Sequence, residues 1–254
     1  MSVRFGLSKA IILAGGKGSR MLPWTSAVSK TMLPIIDKPV LHYVVEEILN
    51  AGIKDIMIVV GYKKDQIIEY FKQNRLSNIN FVVQKEQLGT GDALKCARDW
   101  INKDNVLVAV GDELYDGTNC NHKKIIPLLL DCYKHHNNTV IGCKMLSKKD
   151  ATRFGVIQYK EYGKSKLLTN IIEKPKEEDI ITPLVNVGRY VLKNEVLKYL
   201  DTTLLNSNNE LALTDVIVEY SKNHNVICCE YKGPQYDVGS KSGYVSTFIQ
   251  YAKL

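Results

Sequence analysis

Five consecutive apolar residues, Ile56 to Val60, admit few structural contexts. A run without polar alternation has to be covered on both faces, as an inner strand of a parallel sheet is. Val106 to Val110 has the same character, and Lys9 to Leu13 is a short apolar strand ending in Ala14-Gly15-Gly16. Helical patterns lie between. One starts near Pro39, a favoured first-turn residue, with Val40, Leu41, Val44, Val45, Ile48 and Leu49 on one face and Gly52 as its cap. Asp65 to Phe71 and Asp92 to Trp100 read as helices, and Asn80 to Gln84 as a strand. Repeated β-α-β units with short links imply a parallel sheet covered by helices on both sides.

The pattern loosens after Gly111. A helix over Lys123 to Tyr133 and a strand over Thr139 to Lys144 continue it. A more β-rich stretch follows: Gly155 to Tyr159, Leu167 to Glu173, then Val187 to Leu192. Helical segments near Asn194 to Leu200, Leu213 to Ser221 and Ser242 to Ala252 come last. No linker, low-complexity tract or repeat interrupts the 254 residues. The expectation is one domain whose halves, about 1–115 and about 116–254, face each other across a cleft.

A hydrophobic content of 45% suits a buried core. The net charge of +7 is spread along the chain, and short clusters such as Lys63-Lys64, Lys123-Lys124 and Lys148-Lys149 read as solvated faces. The aromatic-basic interleaving of a nucleic-acid binder is absent, whereas a moderate cation excess suits a substrate carrying several phosphates. No apolar run approaches the roughly 20 residues that cross a bilayer, and the first residues lack the shape of a signal peptide. A soluble, cytoplasmic protein is expected, with no membrane or nucleic-acid partner. Both a monomer and a homo-oligomer stay open. Six cysteines show no regular spacing, as reduced thiols would. Cys120, His122, Cys132, His135 and His136 cluster without a Cys-x-x-Cys pair, and the apolar pattern of Ile125 to Leu130 interrupts them, so no structural zinc is expected there.

Ligands of open parallel sheets sit beyond the carboxyl ends of the strands. Four polar or glycine-rich signals fall at strand ends: Ala14 to Arg20, Gln84 to Thr90, Gly111-Asp112 and Glu173-Lys174. In the first, Gly15, Gly16 and Gly18 let backbone N–H groups approach a phosphate. Gly16-Lys-Gly-Ser-Arg-Met21 lacks the third glycine of a dinucleotide fingerprint, and Pro23 follows. A Walker A loop fails as well, because Gly18 follows Gly16-Lys17 and Ile11 holds the first glycine's place. What remains is a long loop with Lys17, Arg20 and Lys30. Such cations suit a transferring phosphoryl group, but on charge alone they fit a surface loop too.

The motifs Leu13-Ala-Gly-Gly-Lys-Gly-Ser-Arg-Met-Leu-Pro23, Ser29-Lys-Thr-Met-Leu-Pro34 and Asp37-Lys-Pro39 closely resemble the signature of sugar-1-phosphate nucleotidyltransferases. The likeness extends over essentially the whole chain, to Tyr236-Asp-Val-Gly-Ser-Lys-Ser-Gly-Tyr244, and Ser19 stands where threonine is commoner. It implies an α/β, Rossmann-like, mixed but mainly parallel sheet flanked by helices, the nucleotide-diphospho-sugar transferase fold. It also implies that Ala14, Gly15, Gly16, Lys17, Gly18 and Ser19 hold the triphosphate, that Arg20 steadies the transition state and that Lys30 contacts the phosphates.

A glutamine amide can donate and accept, matching the O4 and N3–H edge of uracil or thymine; it equally serves a turn at a strand end. Glu86-Gln-Leu-Gly-Thr-Gly91 is similar to the uridine-binding segment of N-acetylglucosamine-1-phosphate uridylyltransferases, which implies that Gln84, Gly89 and Thr90 face the nucleotide. Asp112 and Asp237 match the family's metal aspartates in local context, which implies Mg²⁺ as cofactor. The N-acetylglucosamine enzymes use asparagine at the second position, so this metal pair resembles that of the glucose enzymes. Glu173-Lys174-Pro175 resembles an element in which lysine binds the sugar phosphate and glutamate a ring hydroxyl. Gly155 and Asn186 match further sugar-contacting positions.

The resemblance thus implies a uridylyltransferase that makes a UDP-sugar and pyrophosphate from UTP and a hexose 1-phosphate, with Arg20, Lys30 and Lys174 as catalytic groups. The Glu86 to Gly91 run and Asn186 tilt the expected acceptor slightly to N-acetylglucosamine 1-phosphate. The terminal motifs and Gly188-Arg-Tyr-Val-Leu192 tilt it to glucose 1-phosphate, with a thymidylyltransferase as a variant. A regulatory nucleotide-sugar-binding subunit on the same fold would be expected to lack Arg20, Lys174 or an aspartate, and all are present.

Overall fold

The computed structural model describes residues 7–74, 76, 78–115 and 123–253. Its strands are β1 Lys9–Ala14, β2 Pro34–Ile35, β3 Lys38–Pro39, β4 Asp55–Val60, β5 Ile79–Val83, β6 Val106–Val110 and β7 Glu113–Tyr115, then β8 Thr139–Met145, β9 Gly155–Tyr162, β10 Ser165–Glu173, β11 Leu184–Leu192, β12 Val226–Glu230 and β13 Gln235–Asp237. The α-helices are α1 Trp24–Ala27, α2 Val40–Asn50, α3 Lys64–Gln73, α4 Thr90–Cys96, α5 Arg98–Ile101, α6 Ile125–His136, α7 Lys148–Ala151, α8 Leu213–Ser221 and α9 Lys241–Tyr251.

Nine strands form one sheet in the order β5-β4-β1-β6-β11-β8-β12-β10-β9. The apolar runs occupy its middle for the reason their composition demands. Along β1, Ala10, Ile12 and Ala14 enter the core under α2, α3 and α6, while Ile11 and Leu13 enter the core on the other face with α4, α5 and α8. Burial of one such aliphatic side chain stabilises the fold by about 1.5–3 kcal/mol. β5, β4, β1 and β6 are mutually parallel in register, so their carboxyl ends share one edge.

The second half departs from the simple alternation. β11 lies antiparallel between β6 and β8, and the β9–β10 hairpin pairs with β12 at one side and, through Val156 and Val185, with β11 at the other. Glu173-Lys174 therefore reaches the cleft from an antiparallel strand, which corrects the expectation that it extends the parallel edge. β12, a four-residue apolar run Val226 to Cys229 before Glu230, is a central strand parallel to β8 that periodicity overlooked. The helix expected over Asp92 to Trp100 is two helices, α4 and α5. Ala97 turns tightly between them, and Arg98 is held by Leu197 O at 2.7 Å and by Asp201 at 2.7 Å. Asn194–Leu200 is a 3-10 helix rather than an α-helix. The boundary between halves at about 115–116 adjoins residues 116–122, which with Cys120 and His122 lie outside the described residues; one sheet spans both halves. No helix among the described residues is long and apolar enough to cross a membrane.

Candidate active site

Backbone hydrogen bonds alone staple the parallel strand ends together. Gly111 N donates to Leu13 O at 3.0 Å, Tyr62 N to Gly15 O at 3.1 Å and Gln84 N to Val60 O at 2.8 Å. A cavity of about 530 Å³ opens on this edge, lined by Ala14 to Ser19, Lys30, Gln84, Gly89, Thr90 and Asp112; we call it the glycine lobe. Gly15 must be glycine by close approach, since a Cβ there would stand 2.8 Å from Gln84 Oε1. Gln84 itself is only 4% exposed, and its amide donates to Gly89 O at 3.0 Å and Asp92 Oδ2 at 2.8 Å. Both N–H groups shape the loop, so any base contact by this side chain falls to its oxygen. Gln87, which sequence reasoning passed over, lines the same cavity.

Gly89 takes φ +102°, and a Cβ would meet Leu211 O at 2.3 Å. The approach is close because the loop is zipped to the other half of the chain. Leu211 N donates to Leu88 O at 2.8 Å, Gly91 N to Leu211 O at 2.8 Å and Leu213 N to Thr90 Oγ1 at 2.9 Å. Nothing in the local pattern around Leu211 announced this wall of the site.

At the centre of the cleft, β7 pairs with β13 so that Glu113 faces Asp237 in register. That pairing brings Asp112 and Asp237 together across 125 residues of sequence. A Cβ on Gly239 would lie 2.9 Å from Asp237 Oδ1 and 3.7 Å from both Asp112 Oδ2 and Lys30 Nζ, so the three groups converge. Burial works to raise the Asp112 carboxyl, but the Lys30 ammonium ion-paired with it, with Arg20 beyond, leaves it below the usual carboxylate range. Asp112 and Asp237, converging at one point, could hold a cation such as Mg²⁺, which takes few protein ligands and completes its shell with phosphate oxygens and water.

Glu113, not singled out from sequence, sits behind this pair. It accepts from Gly188 N at 3.2 Å and from the Tyr115 hydroxyl, and burial, then the Asp112 charge, push its carboxyl up. Below it, fully buried Arg189 grips Glu47 (2.7 Å) and the carbonyls of Val110 and Glu113, each at 3.0 Å. A buried arginine of β11 bonded to a carboxylate and to the carbonyls of Val110 and Glu113 fixes β6 and β7 against β11; an unpaired one would be costly.

A second cavity of about 560 Å³ adjoins the first and shares Thr90, Asp112 and Glu210 with it. It holds Arg20, Arg153, Gly155, Glu173, Lys174, Asn186, Asp215 and Asp237; we call it the hairpin lobe. Lys174 Nζ pairs with Glu173 Oε1 at 3.2 Å, and Lys174 N donates to Phe154 O at 3.1 Å, which ties the end of β10 to the start of β9. A Cβ on Gly155 would stand 3.0 Å from Glu173 Oε2. Asn186 Nδ2 donates to the Tyr190 hydroxyl at 2.7 Å, and its Oδ1 is buried and has no hydrogen-bond partner among the described residues. Asp215 in the first turn of α8 has its carboxyl raised by burial and by Glu173. Arg153 forms an ion pair with Asp237. Every sequence-predicted site residue thus falls in one cleft, joined by Gln87, Glu113, Arg153, Glu210 and Asp215.

A cleft with a glycine-lined half and a carboxylate pair, on the carboxyl edge of this mixed sheet, belongs to the nucleotide-diphospho-sugar transferase fold. The profile of the nucleotidyl transferase family matches residues 9–253, and the chain belongs to that family. It is 36% identical to a UTP–glucose-1-phosphate uridylyltransferase of Staphylococcus epidermidis, over 97% of this chain and 92% of that protein. It is 35% identical to UTP–glucose-1-phosphate uridylyltransferase 2 of Staphylococcus saprophyticus, with the same coverage. A crystal structure of UDP-glucose pyrophosphorylase complexed with UDP-glucose superposes with a TM-score of 0.89 at 29% identity, covering 97% of this chain and 99% of that one.

Proposed function

We propose that this chain transfers the uridylyl group of UTP to glucose 1-phosphate, giving UDP-glucose and pyrophosphate. The observation that carries this reading is the convergence of Asp112, Asp237 and Lys30 at the junction of two cavities, one walled by glycine backbone and one by Glu173 and Lys174. The slight tilt toward N-acetylglucosamine 1-phosphate drawn from Glu86 to Gly91 and Asn186 finds no support among the relatives, whose names carry glucose 1-phosphate. Glucose 1-phosphate is therefore the acceptor we favour.

In this reading the N–H groups of Gly15 to Ser19 and the Lys17 ammonium hold the β- and γ-phosphates. Gly89 and the Gln84 oxygen face the pyrimidine. Lys174 binds the acceptor phosphate. The Glu173 carboxylate and Asn186 Oδ1 accept from ring hydroxyls. Asp112 and Asp237 would hold a magnesium ion, which when bound supplies charge neutralisation at the α-phosphate. The acceptor's phosphate oxygen forms the new bond to the α-phosphorus as the bond to the bridging oxygen breaks and pyrophosphate departs with that electron pair. No protein base is required, because the attacking oxygen is already an anion. Arg20 and Lys30 stabilise charge gathering on the transferring and leaving groups, which is where such enzymes obtain most of their acceleration.

The test is pyrophosphate release with UTP or dTTP against glucose, N-acetylglucosamine and galactose 1-phosphates. UTP with glucose 1-phosphate should give the highest kcat/KM. A higher value with N-acetylglucosamine 1-phosphate would overturn the acceptor assignment, and no release with any pair would overturn the reaction.

A further inference from the structure

The charges of the cleft are paired in a pattern that the proposed reaction would have to undo. Lys30 holds Asp112, Arg153 holds Asp237 and Lys174 holds Glu173. In the first two pairs the carboxylate is one we assign to a cation, and in the first and third the base is one we assign to a phosphate. Substrate binding then amounts to an exchange of partners: phosphates take the bases and a divalent cation takes the aspartates. In this scheme Arg153 is the one member of the pairs without a role.

Its position suggests one. Arg153 lines the hairpin lobe with Arg20, Lys174 and Asp237, and it does not line the glycine lobe. It stands two residues before Gly155, and the neighbouring Phe154 carbonyl accepts from Lys174 N, so Arg153 and Lys174 are carried by one tied pair of strand ends. The side chain is half exposed, unlike the structural Arg189, and can leave its carboxylate without opening the core. A guanidinium suits a phosphate better than a single carboxylate oxygen, because two of its N–H groups can reach two oxygens at once.

We propose that Arg153 is a substrate-contacting residue of the acceptor site. It neutralises Asp237 while the cleft is empty and turns to the phosphate of the sugar 1-phosphate when a divalent cation claims that aspartate. This rests on the uridylyltransferase reading above. Removing the guanidinium has two consequences of opposite sign. Asp237 loses its competitor, so a divalent cation binds the empty protein more tightly. The acceptor phosphate loses a contact, so it binds more weakly.

Arg153→Gln and Arg153→Lys, each checked by a thermal melt, test this in two measurements. Manganese binding to the nucleotide-free protein, followed by electron paramagnetic resonance, should tighten several-fold in Arg153→Gln and change little in Arg153→Lys. In initial-rate kinetics, KM for glucose 1-phosphate should rise about tenfold or more in Arg153→Gln, the scale of a lost charge-assisted contact, while KM for UTP stays within about twofold. Arg153→Lys should recover part of the loss. Unchanged or weaker manganese binding overturns the proposal, and so does an unmoved KM for glucose 1-phosphate. A wild-type chain that turns over no acceptor overturns the functional reading instead, and the manganese titration still judges the Asp237 pair.

Discussion

In the glycine lobe the surface offered to a ligand is largely backbone. Gly15, Gly16 and Gly18 line it, strand-end hydrogen bonds hold it in shape, and its one buried amide, Gln84, is engaged in keeping the loop closed. In the hairpin lobe the offered surface is side chain. Glu173, Lys174 and Arg153 are exposed, and they project from the ends of two antiparallel strands. The contrast teaches which substitutions each lobe tolerates. A backbone-built site is broken by adding atoms at Gly15 and Gly18, where a Cβ would crowd Gln84 and Lys30. A side-chain-built site is broken by removing charge, and its scaffold survives.

The contrast can be broken most forcefully where the lobes meet. Arg20 lies on a 3-10 turn of the glycine loop and lines the hairpin lobe. Arg20→Ala should cost about a thousandfold in kcat, as removal of a phosphoryl-stabilising arginine does, with melting temperature unchanged. Activity within a few-fold of the parent in a pyrophosphate-release assay would remove Arg20 from the chemistry. Next comes Lys174→Gln, which should raise KM for the acceptor by about ten- to a hundredfold and leave KM for UTP in place. Equal loss for both substrates would mean that the lobes are not separate sites.

Gly89→Ala probes the opposite construction. The positive φ and the contact with Leu211 should cost about 1–3 kcal/mol of stability and raise KM for UTP, with the unfolding midpoint in urea as the measurement. Were the midpoint unaltered, the zipper between Leu88, Gly91 and Leu211 would not hold the lobe. The smallest effect concerns Glu113. Its carboxyl is raised in the folded chain by burial and by Asp112. Folding therefore favours its protonated form, so below the unfolded carboxylate value it costs nothing. As pH rises through the folded value, its ionisation subtracts from stability. Glu113→Gln keeps an acceptor for Gly188 N and Tyr115, so melts of the two proteins should coincide near pH 4 and separate in favour of Glu113→Gln toward pH 8. Parallel curves would mean that Glu113 is ionised at no cost.

The first half of the chain was legible because its signals are local. Apolar runs such as Ile56 to Val60 leave one environment open to them, and Gly15 to Ser19 carry a contiguous motif that lines one cavity. The second half was legible only in fragments. Glu173-Lys174 and Asn186 were found by resemblance, but that they arrive on antiparallel strands was not, since register between β9, β10 and β11 is a property of pairing. Arg153, Glu113 and Asp215 carried no pattern. An exposed arginine and two acidic residues next to strands and helices look like any solvated surface until their neighbours are known.

The amino-acid sequence by itself determined the apolar core of the parallel strands, the glycine loop that rules out dinucleotide and Walker patterns, and the family to which that loop belongs. These follow from burial and backbone freedom, which act over a few residues. Only the tertiary structure decided that Asp112 and Asp237 share a point, that Leu211 closes the Gly89 loop and that Arg153 answers Asp237. Each of those depends on segments that meet through the pairing of distant strands, and Coulomb and hydrogen-bond forces act only once folding has brought the partners within a few ångströms.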